Sequence, residues 1–180
     1  MESIHKQPEL ESDLKDLFAL ARGETFEDGM ESAFSRNLVA LIENHENIAI
    51  DVISDLIASG NVDFEVAAEA LRWVGHIENS VTYQARLQLL ERSLFSLSAR
   101  IRDGAILGLT SMDDPASIRY VKEAIRRETI GELRQSIQQL LQQLIDTQLE
   151  SSPLATMIAS EDVLRREWES DAEDSAWAHL

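Results

Sequence analysis

Hydrophobic residues along this chain recur at intervals of three and four positions. Leu10, Leu14, Leu17, Phe18 and Ala21 make a first stripe, with Gly23 behind it as a C-terminal cap. Phe34, Leu38, Leu41 and Ile42 make a second, and Ile48, Val52, Ile53, Leu56 and Ile57 a third, closed by Gly60. Phe64, Ala67, Leu71, Val74 and Ile77 follow, then Tyr83, Leu87, Leu90 and Leu94. Ile101, Ala105, Leu109 and Met112 lead to Ile118, Val121 and Ile125, and a last stripe runs through Leu133, Ile137, Leu140, Leu141 and Leu144. Each stripe has the period of one helix face, and no stretch alternates with period two for long enough to be a strand. The pattern predicts an all-α chain.

Boundary chemistry agrees. Asp114-Pro115 offers a side-chain acceptor at an N-cap and a proline at the first helical position, where its missing N–H costs nothing. Thr129-Ile130-Gly131-Glu132 and Ser170-Asp171-Ala172-Glu173 match the capping box. The links between stripes read as two to five residues, which folds successive helices back on each other as antiparallel hairpins.

The stripes also repeat. Phe34, Leu38, Val39 and Ile42 map onto Val66, Ala70, Leu71 and Val74 at an offset of 32. That set maps onto Ile101, Ala105, Ile106 and Leu109 at an offset of 35, and Leu133, Ile137 and Leu141 follow Ile101, Ala105 and Leu109 at 32. Two helices per unit at such a period predict a stacked α-solenoid, in which each unit buries one face alone and stacking makes the core continuous. Small residues at Ala70, Gly104 and Ala105 predict close helix pairs.

The run Ala99-Arg100-Ile101-Arg102-Asp103-Gly104-Ala105-Ile106-Leu107-Gly108-Leu109, then Asp113-Asp114-Pro115, Ile118, Val121 and Ala124-Ile125, resembles a HEAT-like repeat. Ala67-Ala68-Glu69-Ala70-Leu71-Arg72-Trp73-Val74-Gly75 is a looser version of the same unit. The resemblance covers roughly residues 31–149 and is most typical over 66–145. It implies a right-handed stack of hairpins used for binding, a design found in scaffolds, adaptors and some chromophore lyases. The domain division that follows is a HEAT-like domain over residues 1–149 and an acidic tail with short helices over 150–180.

Composition narrows the partners. The chain has 180 residues and no Cys, which removes disulfides, thiolate nucleophiles and Cys-based zinc sites together. No apolar run is long enough for a transmembrane helix, and Met1-Glu2-Ser3-Ile4-His5-Lys6 does not read as a secretory signal, so a cytoplasmic protein is expected. The formal charge is −17, divided as −12 over residues 1–70, +1 over 71–149 and −6 over 150–180. A field of that sign repels nucleic-acid phosphate and anionic lipid and favours a basic protein partner.

Catalytic constellations are not found. His5, His45, His76 and His179 fall on separate segments without metal-ligand spacing, no glycine-rich phosphate cradle is present, and most glycines read as helix ends. Asp113-Asp114 stands at a helix start, where carboxylates act as caps. No metal site, catalytic residue or cofactor is expected, and the chain reads as a non-catalytic binder. The runner-up reading is a HEAT-like lyase or cofactor-handling protein seating a tetrapyrrole or similar ligand. A third is a structural adaptor whose tail is an intramolecular lid.

Two surfaces are candidates for binding. Arg119, Lys122 and Arg126 share one helix face and form an anion-accepting stripe suited to an acidic peptide, with Glu123, Glu128 and Glu132 as the carboxylates that would instead neutralise it. Trp73 is an anchor candidate whose simpler role is core packing. The second surface is the tail. After Ser151-Ser152-Pro153 the repeat pattern stops, and two of the three tryptophans, Trp168 and Trp177, fall within residues 161–180 with Leu164 and Leu180. Aromatics in an acidic segment of this kind are groove anchors, with Glu169, Asp171, Glu173 and Asp174 steering the encounter. The pattern Glu161-x-x-Leu164-x-x-x-Trp168, then Glu173-Asp174-x-Ala176-Trp177-x-x-Leu180, resembles the acidic C-terminal segments of small bacterial antitoxin-like proteins, although Asp171-Ala172 stands where those carry a proline-glutamate pair. The resemblance implies docking on a basic toxin groove, and with it an antitoxin- or immunity-like role.

Overall fold

Each hydrophobic stripe becomes a helix. The computed structural model describes residues 3–27 and 30–151, and within them there are eight α-helices and no strand. They are α1 (Ser3–Leu20), α2 (Ala33–His45), α3 (Asn47–Ala58), α4 (Phe64–His76), α5 (Tyr83–Ser93), α6 (Ala99–Met112), α7 (Ile118–Arg127) and α8 (Gly131–Glu150), with a 3-10 turn over Pro115–Ser117. Side-chain caps set several starts. Ser32 and Ser35 form a reciprocal capping box on α2, Asp63 accepts from Glu65 and Val66 on α4, and Asp114 accepts from Ala116 in front of Pro115.

Three expectations need correction. The Thr129–Glu132 capping box does not form. Ile130 is the N-cap of α8, and the backbone N–H groups of Thr129 and Ile130 donate instead to the Glu128 carboxylate, both at 2.9 Å. Glu128 wins because Arg102 holds its carboxylate in place with two hydrogen bonds of 2.7 and 3.0 Å. The links are also less uniform than expected. A single residue, Glu46, joins α2 to α3, whereas α1 and α2 are separated by residues 21–32. That longer link carries its own anchor, since Phe26 packs on Phe34, which in turn meets Phe18 edge-on at 5.3 Å. Lastly, Ile48 and Phe64 are exposed rather than in the core. They occupy the first turns of α3 and α4, where the spacing continues past the packed face.

The core is otherwise drawn from the expected positions. Leu38, Ile42, Ile53, Val66, Ala70, Leu71, Val74, Leu90, Ala105, Leu109, Val121, Ile137 and Leu144 are all buried in one hydrophobic cluster. On α8 the inward stripe is Ile137, Leu140 and Leu144, with Leu133 and Leu141 half-buried beside it.

Alternate helices lie side by side. Helix α2 packs on α4, α4 on α6, α6 on α8, and α3 on α5, while α1 covers α2 and α3. Between α4 and α6 the backbones themselves meet. A Cβ added to Gly104 would lie 2.5 Å from the Ala68 carbonyl oxygen, one on Gly108 2.6 Å from that of Leu71, and one on Gly75 would run into the Gly108 backbone. Gly104 and Gly108 sit inside α6, whereas Gly75 is the last residue but one of α4. Gly104 and Gly108, four residues apart, clear one strip of α6 so that α4 can settle into it.

Candidate binding faces

Glu69, Arg72, Trp73 and His76 stand at helical spacing on α4, on the side that α6 leaves open. The Glu69 carboxylate is buried and accepts from Arg72 Nε at 2.9 Å, Arg72 Nη2 at 2.8 Å and Trp73 Nε1 at 2.6 Å. The Arg72 guanidinium lies 5.3 Å from the Trp73 ring centre, and the His76 ring 5.5 Å from it. His76 Nδ1 is 2.9 Å from the Arg72 carbonyl, and its Nε2 is 3.3 Å from Ser111 Oγ on α6. One carboxylate therefore fixes an indole and a guanidinium together, and the indole is only partly buried.

Two grooves flank this platform. One, of about 660 Å³, runs between α4 and α6 past Glu69, Arg72, Arg100, Asp103 and Ser111. The other, of about 350 Å³, separates Trp73 and His76 from Val39, Ala40 and Glu43 of α2. A third groove, of about 570 Å³, lies between α1 and α3 in the acidic half. Phe18, Val52 and Leu56 form its floor and Glu11, Asp55 and Asp63 its rim, with Lys15 paired to Glu11 at 2.5 Å and Arg22 at the edge.

No protein-family model, no curated protein and no solved structure matches this chain. Its faces are accordingly read from their own chemistry. Among the described residues, no group of three His, Asp or Glu side chains is placed to hold a metal ion. The Ser111 hydroxyl beside His76 also lies 3.1 Å from the Leu107 carbonyl of its own helix, so its proton has a backbone acceptor. What the α4 platform offers is an indole held in place beside a neutralised ion pair.

The predicted stripe on α7 is present as a geometric feature. Val121 and Ala124 are buried, while Arg119, Lys122 and Arg126 are exposed on the opposite side. Arg119 donates to the Tyr120 hydroxyl at 2.9 Å and lies over its ring at 4.6 Å. Arg126 and Arg127 share Glu123, at 3.3 and 2.7 Å, and those two guanidinium groups, Arg127 first, hold its carboxyl below the usual carboxylate range. The neutralising role foreseen for Glu123 is thus realised for Arg126. Glu128 turns away to Arg102. Lys122 has no carboxylate within ion-pair distance among the described residues. The tail residues Leu164, Trp168, Glu169, Asp171, Glu173, Asp174, Trp177 and Leu180 lie outside the described residues.

Sequence reasoning missed several polar groups that hold these faces. Arg86 is buried and donates to Thr82 Oγ1 at 3.0 Å and to the carbonyls of Val74 and Asn79 at 2.9 and 3.0 Å, clasping the end of α4 to the start of α5. Burial pushes its guanidinium below its ordinary pKa. Glu91, also buried, accepts from the Ser117 hydroxyl at 3.0 Å, and burial raises its carboxyl pKa. The Tyr83 hydroxyl donates to Asp114 at 2.7 Å, and burial with that carboxylate pushes it up to about 12. Nothing local distinguishes Arg86 or Glu91 from surface charges. The small residues Ala70, Gly104 and Ala105 were the readable signal, and they pointed to packing.

Proposed function

We propose that this chain is a non-catalytic, HEAT-like helical-repeat module that binds a protein partner, as antitoxin and immunity proteins do. The observation that carries the reading is the side-by-side packing of α2, α4, α6 and α8, whose starts at residues 33, 64, 99 and 131 recur at close to the spacing of the sequence repeat. Helices stacked in that order make an extended face with grooves between neighbours, and such faces serve binding. Trp73, partly buried and held by Glu69, gives the face a rigid aromatic anchor of the kind that dominates protein interfaces. The acidic rim of the α1–α3 groove and the net charge of −17 favour a basic partner.

The tail belongs to the same reading: Leu164, Trp168, Trp177 and Leu180 supply apolar contacts and Glu169, Asp171, Glu173 and Asp174 the steering charge. Affinity capture compares the full chain, a chain ending at Glu150 and a Trp73→Ala variant, with each captured protein then purified and titrated. Trp73→Ala is expected to weaken the purified partner by tenfold or more, the cost of about 2 kcal/mol typical of a truncated interface tryptophan. Equal affinity for all three chains removes both anchors and overturns the reading.

A further inference from the structure

We propose that residues 152–180 of the chain itself dock on the outward face of α7, with their acidic run against Arg119, Lys122 and Arg126. The charge pattern selects the occupant. In a chain with 33 acidic and 16 basic residues, α7 carries Arg119, Lys122, Arg126 and Arg127 against the single carboxylate of Glu123. Residues 152–180 hold seven Asp or Glu against two Arg. The helix most in need of anions and this acidic segment are separated in sequence by one helix, α8.

Placement brings them together. Thr147, in the last turns of α8, donates to Asp113 Oδ2 at 2.8 Å, and Gln143 donates to Asp113 Oδ1 at 2.9 Å. Asp113 directly precedes the Asp114 cap and the 3-10 turn that leads into Arg119, and α8 packs on both that turn and α7. The chain therefore leaves α8 at the Arg119 end of α7. Arg119 and Arg126 are seven residues apart on a helix, about 10 Å at 1.5 Å per residue. Glu161 lies ten positions beyond Ser151, an extended reach of about 33 Å, so the acidic run can be laid along the whole stripe without strain.

An apolar strip accompanies the charges. On α8, Leu141 and Ile145 are half-buried and Leu149 is 61% exposed, at successive four-residue intervals. Leu164 and Trp168 are also four apart, matched in spacing to such a strip. Tethering then decides between this segment and any free acidic peptide of similar affinity, because a short covalent link gives an effective concentration of about millimolar. A partner that takes the tail must first displace it from α7, so the contact would make the chain self-masked until a basic surface competes. This consequence rests on the partner reading, but the contact itself does not.

The absence of native cysteine makes the test clean, since introduced thiols are the only ones labelled. Spin labels on Ser175→Cys and Gln138→Cys in the full chain report the tail-to-α8 separation by double electron–electron resonance, with no partner present. A short, narrow distance distribution is expected in the parent. The charge reversal Arg119→Glu, Lys122→Glu and Arg126→Glu is expected to broaden it and move it to longer distances. Adding Glu167→Lys, Glu169→Lys, Glu173→Lys and Asp174→Lys to that reversed helix is expected to restore the short distance. A broad distribution in the parent, or a short one that survives the reversal of α7, overturns the proposal. So does a reversal that broadens the distribution without restoration by the tail exchange. Partner affinity is measured separately, so failure here leaves the binding reading standing, and the converse also holds.

Discussion

Glu128 is almost fully withdrawn from solvent, yet its carboxylate serves four donors: Arg102 Nε and Nη2 and the N–H groups of Thr129 and Ile130. Its backbone carbonyl also accepts from Arg134. The hydrogen bonds from Arg102, followed by those from Ile130 and Thr129, hold its carboxyl below the usual range against the opposing effect of burial. A carboxyl lowered in the folded state stabilises the fold above its ordinary pKa, and that contribution is lost as pH falls through the lowered value. Arg102→Met leaves the charge without its strongest partner and is expected to cost about 3 kcal/mol at pH 7, the order found when a buried pair loses one member. Denaturant titrations of parent and variant should converge as pH drops and Glu128 protonates. A difference independent of pH would mean that Arg102 acts through packing alone.

Glu46 shows the opposite kind of residue effect, a backbone conformation that its side chain does not favour. As sole link between α2 and α3 it takes φ 51° and ψ −130°, and its N–H still bonds the Ile42 carbonyl at 2.7 Å. Glycine adopts such angles freely. Glu46→Gly is expected to stabilise by about 1 kcal/mol, after the added freedom of the unfolded chain is subtracted, and thermal melting should show Tm rising by about 2–4 °C. Asp113, at φ 47°, is a different case, since its carboxylate holds Gln143 and Thr147.

At the scale of elements, the α4–α6 pair depends on missing side chains. Leucines can be exchanged in a helix interface with modest repacking, but a methyl group pressed into a neighbouring backbone has nowhere to go. Gly75→Ala would place carbon against the Gly108 backbone and is expected to destabilise by about 3 kcal/mol or more, read as an earlier urea midpoint. Gly131→Ala provides the contrast. Nothing lies within 4 Å of its added Cβ, and as the first residue of α8 it is expected to gain about 0.5–1 kcal/mol from lower unfolded-state freedom. Equal responses from the two sites would show that the α4–α6 contact is looser than described. The polar clasps act at the same scale: Arg86 joins α4 to α5, Arg102 draws the loop after α5 toward the end of α7, and Asp113 ties α6 to α8.

Across the whole molecule the charge is divided unevenly, and the faces inherit the division. The acidic half holds the α1–α3 groove, while cationic side chains collect on α7. Long-range attraction of this sort chiefly raises the rate of encounter and is screened within about 10 Å at 0.1 M salt. With a purified basic partner, raising NaCl from 50 to 500 mM is expected to slow association by tenfold or more while leaving dissociation nearly unchanged. A salt effect confined to dissociation would place the decisive ion pairs inside the interface.

The helical character and most of the core of this protein were determined by the sequence alone, because each helix has to bury a face and only a spacing of three and four residues provides one. Leu38, Leu71, Leu109 and Ile137 are therefore legible one by one. The exposed first-turn residues Ile48 and Phe64 were not, since spacing says nothing of where a neighbour stops. Tertiary structure alone decided that Gly75 faces Gly108, that Glu128 and not Glu132 receives the Thr129 N–H in front of α8, and that Trp73 rests on Glu69 between two grooves. The reason is physical: periodicity is a property of one helix, whereas close approach, burial of charge and the shape of a groove are properties of pairs, and the partner is chosen only when the chain folds.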